Sequence, residues 1–317
     1  MRADPLSLVL AAGLACAAPA LAAERQFANA PFESHPVALA QAAALERIGA
    51  RIRAAEADPD ATASEESDAD GDLALIRASL GAASPATLGA LESLLDGAEP
   101  APGAPKDPVA AARDLLAPPD VAGTAPFRAA LAAALLLDEG GVAEGWEEVA
   151  EGEPEARALG GEELRSVERI LGGPGGDDLS GEAAEMLARL DALFASEAVN
   201  PEEAEGIAQP LVGLLEVISD SDLYPGRDLG GAAALVLGLS RQGCAALARG
   251  DGAIGAERLA IARRYHDALI ADTLGLMAPE AGATISAAFE PRATDDPAEA
   301  CDALLGALAA ARTALTP

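Results

Sequence analysis

The stretch LSRQGCAALARGDGAIGAERLAIARRYHDAL, residues 239–269, decides the fold class. Apolar and small residues recur at helical spacing on both sides of Gly250-Asp251, a pair suited to end one helix and begin another. Gly243 in the first run and Ala262 late in the second are small, and small side chains let two helix axes come close. The reading is a helical hairpin.

Working outward, the same signals mark further helices. Ser84-Pro85, Asp107-Pro108, Asn200-Pro201 and Asp296-Pro297 each set an N-cap residue before a proline at the first helical position. Glu203 and Glu299 stand where a capping-box carboxylate would reach back to the cap. Gly97, Gly140 and Gly172 mark helix ends. Expected helices cover 36–56, 72–82, 85–96, 108–116, 125–138, shorter pieces up to 171, then 181–198, 201–219, 229–249, 253–277 and 297–315. An acidic linker is expected at 57–71, and GGPGGDD at 172–178 reads as a hinge between halves at 72–171 and 179–317. Residues 23–71 carry the first helix and the linker.

Composition agrees with this pattern. Half of the 317 residues are apolar, much of that alanine, and only 3% are aromatic. Ala and Leu lead the helix propensity scale, whereas a sheet would call for more Val, Ile, Thr, Tyr and Phe. The expected fold is all-α, with helical hairpins stacked as an α-solenoid or an irregular helical bundle.

The N-terminus reads as an address. LSLVLAAGLA at 6–15 is an apolar run behind Arg2, followed by Pro19 and Ala20-Leu21-Ala22, the build of a secretory signal peptide over residues 1–22. Ten residues of helix extend about 15 Å, too short to cross a hydrocarbon core of roughly 30 Å, and no membrane span is expected. Gly13 stands where a lipobox carries Leu three residues before its Cys, so cleavage after Ala22 is preferred over a lipid anchor at Cys16. The chain is therefore expected in the periplasm or secreted. Export leaves Cys244 and Cys301, which in an oxidising compartment are expected as a disulfide across 57 residues, the other reading being two buried thiols.

The formal charge of −31 repels nucleic acid and anionic lipid and favours basic partners or cations. Cofactor and metal motifs are not found: there is no HExxH, CxxC, CxxCH, GxSxG or P-loop, and no catalytic, cofactor or metal residue is assigned. The two histidines are His35, before Pro36, and His266, in RRYHD, whose members point around a helix and do not converge on a substrate. Glu66 to Leu73 resembles the first half of an EF-hand loop, with carboxylates at alternate positions and Gly71 at the turn. Glu66 replaces the first Asp and Arg77 the bidentate Glu, so the preferred reading is a solvated linker leading into a helix N-terminus that favours Asp70 and Asp72. Arg241, Arg249, Arg258, Arg263 and Arg264 concentrate positive charge in the hairpin, either as a docking face for an acidic partner or as internal balance for nearby acids.

Two resemblances follow from these residues. Residues 239–269 resemble a tetratricopeptide hairpin: Gly243 and Ala262 match its small positions and Gly250-Asp251 its turn, while Gly255 replaces the usual Ala. Residues 71–81 with Ser84 to Leu88, GDLALIRASLG followed by SPATL, resemble a segment of MotC, a family of periplasmic motility proteins in rhizobia and related bacteria. That resemblance implies an exported, mostly helical, non-enzymatic protein acting on the periplasmic part of the flagellar motor.

The expected function is a non-catalytic helical scaffold or adaptor that binds another periplasmic protein, as an accessory of the flagellar motor if the second resemblance is followed. Two alternatives stand beside it: a periplasmic enzyme with a carboxylate-based site, and an acidic cation-binding or halophilic surface protein. A groove lined by Leu, Tyr224 and Arg would favour binding. A deep pocket with two buried carboxylates, or His266 beside one, would favour an enzyme.

Overall fold

The computed structural model describes residues 34–57, 66–117, 119–137, 141–151, 156–172, 181–196, 200–221, 223, 229–289 and 297–316. The leader at 1–22 with Cys16, most of GGPGGDD, Tyr224 and Asp296 lie outside the described residues. Among the described residues there are sixteen helices and the fold is all-α.

In chain order the helices are α1 (Pro36–Ala57), α2 (Glu66–Ala74), α3 (Arg77–Ala83), α4 (Pro85–Leu95), α5 (Pro108–Leu116), α6 (Pro119–Ala122), α7 (Ala125–Leu137) and α8 (Val142–Glu151). Then come α9 (Ala156–Leu171), α10 (Gly181–Ala195), α11 (Pro201–Ser219), α12 (Leu229–Ala248), α13 (Gly252–Leu269), α14 (Ala271–Met277), α15 (Pro279–Phe289) and α16 (Pro297–Leu315).

α1 is the hub. Its residues 39–52 are all buried, and it packs against α2, α4, α5, α7, α9 and α13. In a solenoid each unit touches only its neighbours in sequence. A first helix wrapped by helices from both ends of the chain makes this an irregular bundle. The apolar part of the wrapping is one continuous core from Leu39 to Leu315.

The caps place the helix ends. Ser84 Oγ accepts from Thr87 N, Asp107 Oδ1 from Ala110 N at 2.9 Å, and Asn200 Oδ1 from Glu203 N. Glu203 differs from the capping-box expectation: its Oε2 accepts from the Asn200 side-chain amide at 3.0 Å. Gly250, at φ 83°, ends α12 in a Schellman turn, in which Asp251 N donates to Ala246 O and Gly250 N to Leu247 O. Asp251 then caps α13.

In hairpin α12–α13 the two helices approach closely over glycines. A Cβ on Gly243 would lie 2.8 Å from Leu259 Cγ and 3.0 Å from Gly255 O, and one on Gly255 would lie 2.6 Å from Leu247. α16 lies against α12 along Leu304, Leu308, Ala311 and Leu315, a stripe at coiled-coil spacing. Near its start Cys301 is bonded to Cys244 of α12, with the Cα atoms 5.8 Å apart. α12 is the one helix among those described that is long and apolar enough to cross a membrane, and half of that window is buried in the bundle.

Three expectations need correction. The acidic linker ends early, because α2 begins at Glu66 instead of residue 72. The helix expected over 253–277 is broken at Ile270, whose N still donates to His266 O, and α14 starts anew at Ala271. α15 was not expected; it packs between α14 and α16.

Candidate functional site

The polar chemistry inside the bundle centres on α1. Arg47 Nε donates to Asp72 Oδ1 at 2.9 Å, and Arg264 Nη2 from α13 reaches the same oxygen at 3.2 Å. Arg51 Nε lies 3.9 Å from Asp72 Oδ2. On another face, Glu46 accepts from Arg113 of α5 and from Arg169 of α9. Arg53 bonds Glu162 at 2.9 Å and Ser166 Oγ at 2.8 Å, both on α9. Glu257 of α13 accepts from Gln41 Nε2, from Ser79 N at 2.8 Å and from Ser79 Oγ, which joins α1, α3 and α13.

The helix over Glu66–Ala74 replaces the expected loop, and burial removes Asp72 from the expected solvated face, while Asp70 remains exposed. The segment is helical, so carboxylates at alternate positions diverge around an axis and do not converge on a cation. Asp72 is 1% exposed and faces arginines, not water. Among the described residues no group of three or more His, Cys, Asp or Glu is arranged to hold a metal ion.

The five hairpin arginines have separate environments. Arg264 turns inward to Asp72, Arg258 lies 3.5 Å from Glu257, and Arg263 pairs with Asp267 one turn on. Arg241 and Arg249 are exposed.

His266 does stand beside a carboxylate: its Nδ1 is 2.7 Å from Asp267 Oδ1. The ring is 1% exposed, and Phe289 of α15 lies against it with centroids 5.6 Å apart. Among the described residues its Nε2 has no hydrogen-bond partner. A general base needs that nitrogen within reach of a substrate proton, and here the ring is buried. His35 sits exposed at the entry of α1, its carbonyl accepting from Leu39 N. Trp146 on α8 is likewise sealed, stacked on Phe194 at 4.8 Å with the Arg157 guanidinium 5.0 Å from its centroid. Gly160 makes room for the Phe194 ring, since a Cβ there would lie 2.6 Å from it.

Between α1, α7 and α13 is a slot with about 480 Å³ of empty space, part of it open to solvent. Leu39, Ala40, Ala43 and Arg47 form one wall, Ala130 and Ala134 the second, and Arg264, Tyr265, Ala268 and Leu269 the third. The Tyr265 hydroxyl donates to Pro36 O at 2.7 Å and so braces the slot at the start of α1. Among the described residues no carboxylate lines it. Sequence reasoning missed this slot because its parts lie far apart in the chain, and its alanines read only as helix formers.

Outside the slot, the chief apolar feature of the described surface is the corner between α14 and α15, where Leu276 is 87% and Met277 63% exposed. Compared with family models, curated proteins and solved structures, the chain matches none.

Proposed function

We propose that the chain is an exported, non-catalytic helical adaptor that binds another protein of the periplasm. The observation that carries this reading is the exposed pair Leu276-Met277. Two large apolar side chains stand in water, side by side, on a chain of net charge −31. Leaving such groups exposed forgoes roughly 1.5–3 kcal/mol each relative to burial, which a docked partner would recover. The acidic charge selects a basic partner whose apolar notch takes the pair.

Two further observations support binding over chemistry. Glu46, Asp72, Glu162 and Glu257 are bonded into the core, and His266 is enclosed. The disulfide between Cys244 and Cys301 supports export. The resemblance of residues 71–88 to MotC supports the narrower form of the reading, in which the partner belongs to the flagellar motor.

A photo-reactive residue at position 276 of the full chain, expressed in the native cell, tests it. One defined basic periplasmic protein should crosslink, rebind when purified, and lose binding about tenfold or more to Leu276→Asp/Met277→Asp. Those sites are exposed, so melting should be unchanged. Crosslinking to no protein, or a partner that binds the double variant equally well, sinks the adaptor reading.

A further inference from the structure

The contacts between helices divide the chain into two bodies. α10 and α11 pack with α7, α8 and α9, and so belong with the hub helix α1. α12 to α16 pack on one another, and among the described residues their principal contacts with the rest run through α13, against α1, α2 and α3. This C-terminal body is held within itself by the glycine approach of α12 and α13, by the apolar stripe of α16 and by the Cys244–Cys301 bond. The seam between the bodies is made differently. Glu257 accepts from Gln41 Nε2 at 3.2 Å, from Ser79 N at 2.8 Å and from Ser79 Oγ. Arg264 Nη2 meets Asp72 Oδ1 at 3.2 Å, and the Tyr265 hydroxyl donates to Pro36 O at 2.7 Å.

We infer that α12–α16 swing as one body against the rest of the chain, opening and closing along the α13 seam. Hydrogen bonds such as those of Glu257 and Tyr265 exchange for bonds to water at little net cost, whereas the apolar packing inside each body has no such substitute. The slot beside them, walled by Ala40, Ala43, Ala130, Ala134 and Ala268, leaves the seam incompletely filled, so dispersion contacts are forgone there. Each seam carboxylate keeps a cation on its own side when the bodies part: Asp72 keeps Arg47, and Glu257 keeps Arg258 at 3.5 Å. Opening therefore strands neither charge without a partner. Polar interfaces between units of one chain ordinarily permit such motion. Leu276 and Met277 ride on the moving body, so a partner docked there is carried with it. The motion itself does not depend on that docking.

Distance measurement by double electron–electron resonance on the full, oxidised chain tests the inference. Nitroxides carried on noncanonical residues, which leave the disulfide intact, replace exposed Asp96 on the N-terminal body and exposed Arg241 on α12. A second pair at exposed Arg241 and Arg312 reads the C-terminal body alone. The first pair should show a second, longer distance, and Glu257→Ala, which removes the acceptor of Gln41 and Ser79, should enlarge that population about threefold or more. The second pair should keep a single distance throughout. Tyr265→Phe, which deletes one hydroxyl at the seam, should act in the same direction and serves alone if Glu257→Ala lowers the helix content. A single distance between the bodies in the parent chain, a long population that the folded variants do not enlarge, or a second distance within the C-terminal body overturns the inference.

Discussion

Arg47 and Asp72 form an ion pair at 2.9 Å with both side chains 1% exposed, and the same carboxylate ties α2 to α13 through Arg264. Desolvating such charges costs several kcal/mol each, which their attraction offsets only while the partners stay together. Asp72→Ala removes the acceptor that Arg47, Arg51 and Arg264 share. It should cost about 3–5 kcal/mol, read as a fall in the urea midpoint. A midpoint unchanged from the parent chain would show that the arginines are held by their other contacts.

Gly243 and Gly255 set the distance between α12 and α13. Adding a methyl at either meets a neighbouring leucine and a backbone carbonyl at about 3 Å or less, so the helices must separate. Gly255→Ala should destabilise by about 1–3 kcal/mol, the usual cost of overpacking. Gly238, on the same helix as Gly243, has nothing within 4 Å of an added Cβ. Gly238→Ala should therefore gain up to about 1 kcal/mol from helix propensity. Thermal melting of the two variants should move in opposite directions, and a stabilised Gly255→Ala would refute the close approach.

Asp107 tests the cap signals by themselves. Its Oδ1 accepts from Ala110 N at 2.9 Å on an exposed turn, with Pro108 already set at the helical φ. Asp107→Ala should cost about 1 kcal/mol, and Asp107→Ser much less, since Ser can cap the same N–H. Equal losses in the two variants, compared by chemical denaturation, would mean that the side-chain bond is not what starts α5.

Those caps explain how far the fold was legible. Ser84, Asp107 and Asn200 act on backbone groups two or three residues away, so their role is local and stands in the sequence. The close approach in α12–α13 was legible for a related reason, because Gly243 and the Gly250-Asp251 turn belong to one hairpin. α1 was different. Gln41, Glu46, Arg47 and Arg51 are all buried, which the helical pattern of α1 does not announce. Their partners lie up to 216 residues away, as Glu257 does from Gln41, and no local period reveals that. α2 was missed for the same cause: an acidic run reads as linker until Arg47 and Arg264 are seen to receive Asp72. The slot is the extreme case, three helices from distant parts of the chain meeting over alanines.

The disulfide gives the last test. Cys244 and Cys301 close a loop that holds α13, α14 and α15, and α16 otherwise docks along a single stripe on α12 and against α15. Cross-linking a loop of this length restricts the unfolded chain and contributes about 2–4 kcal/mol. The Cys244→Ser/Cys301→Ser double variant should lose that amount in chemical denaturation. The loss should be uneven in hydrogen exchange: amides of α16 should exchange faster, while α1 and α9, packed against each other and far from the bond in sequence, keep their protection near that of the parent. Reduction of the parent chain by a dithiol should reproduce the pattern, each disulfide taking two electrons and two protons to give two thiols. If α16 exchanges no faster in either case, the apolar stripe of Leu304, Leu308, Ala311 and Leu315 is sufficient to hold the C-terminal helix.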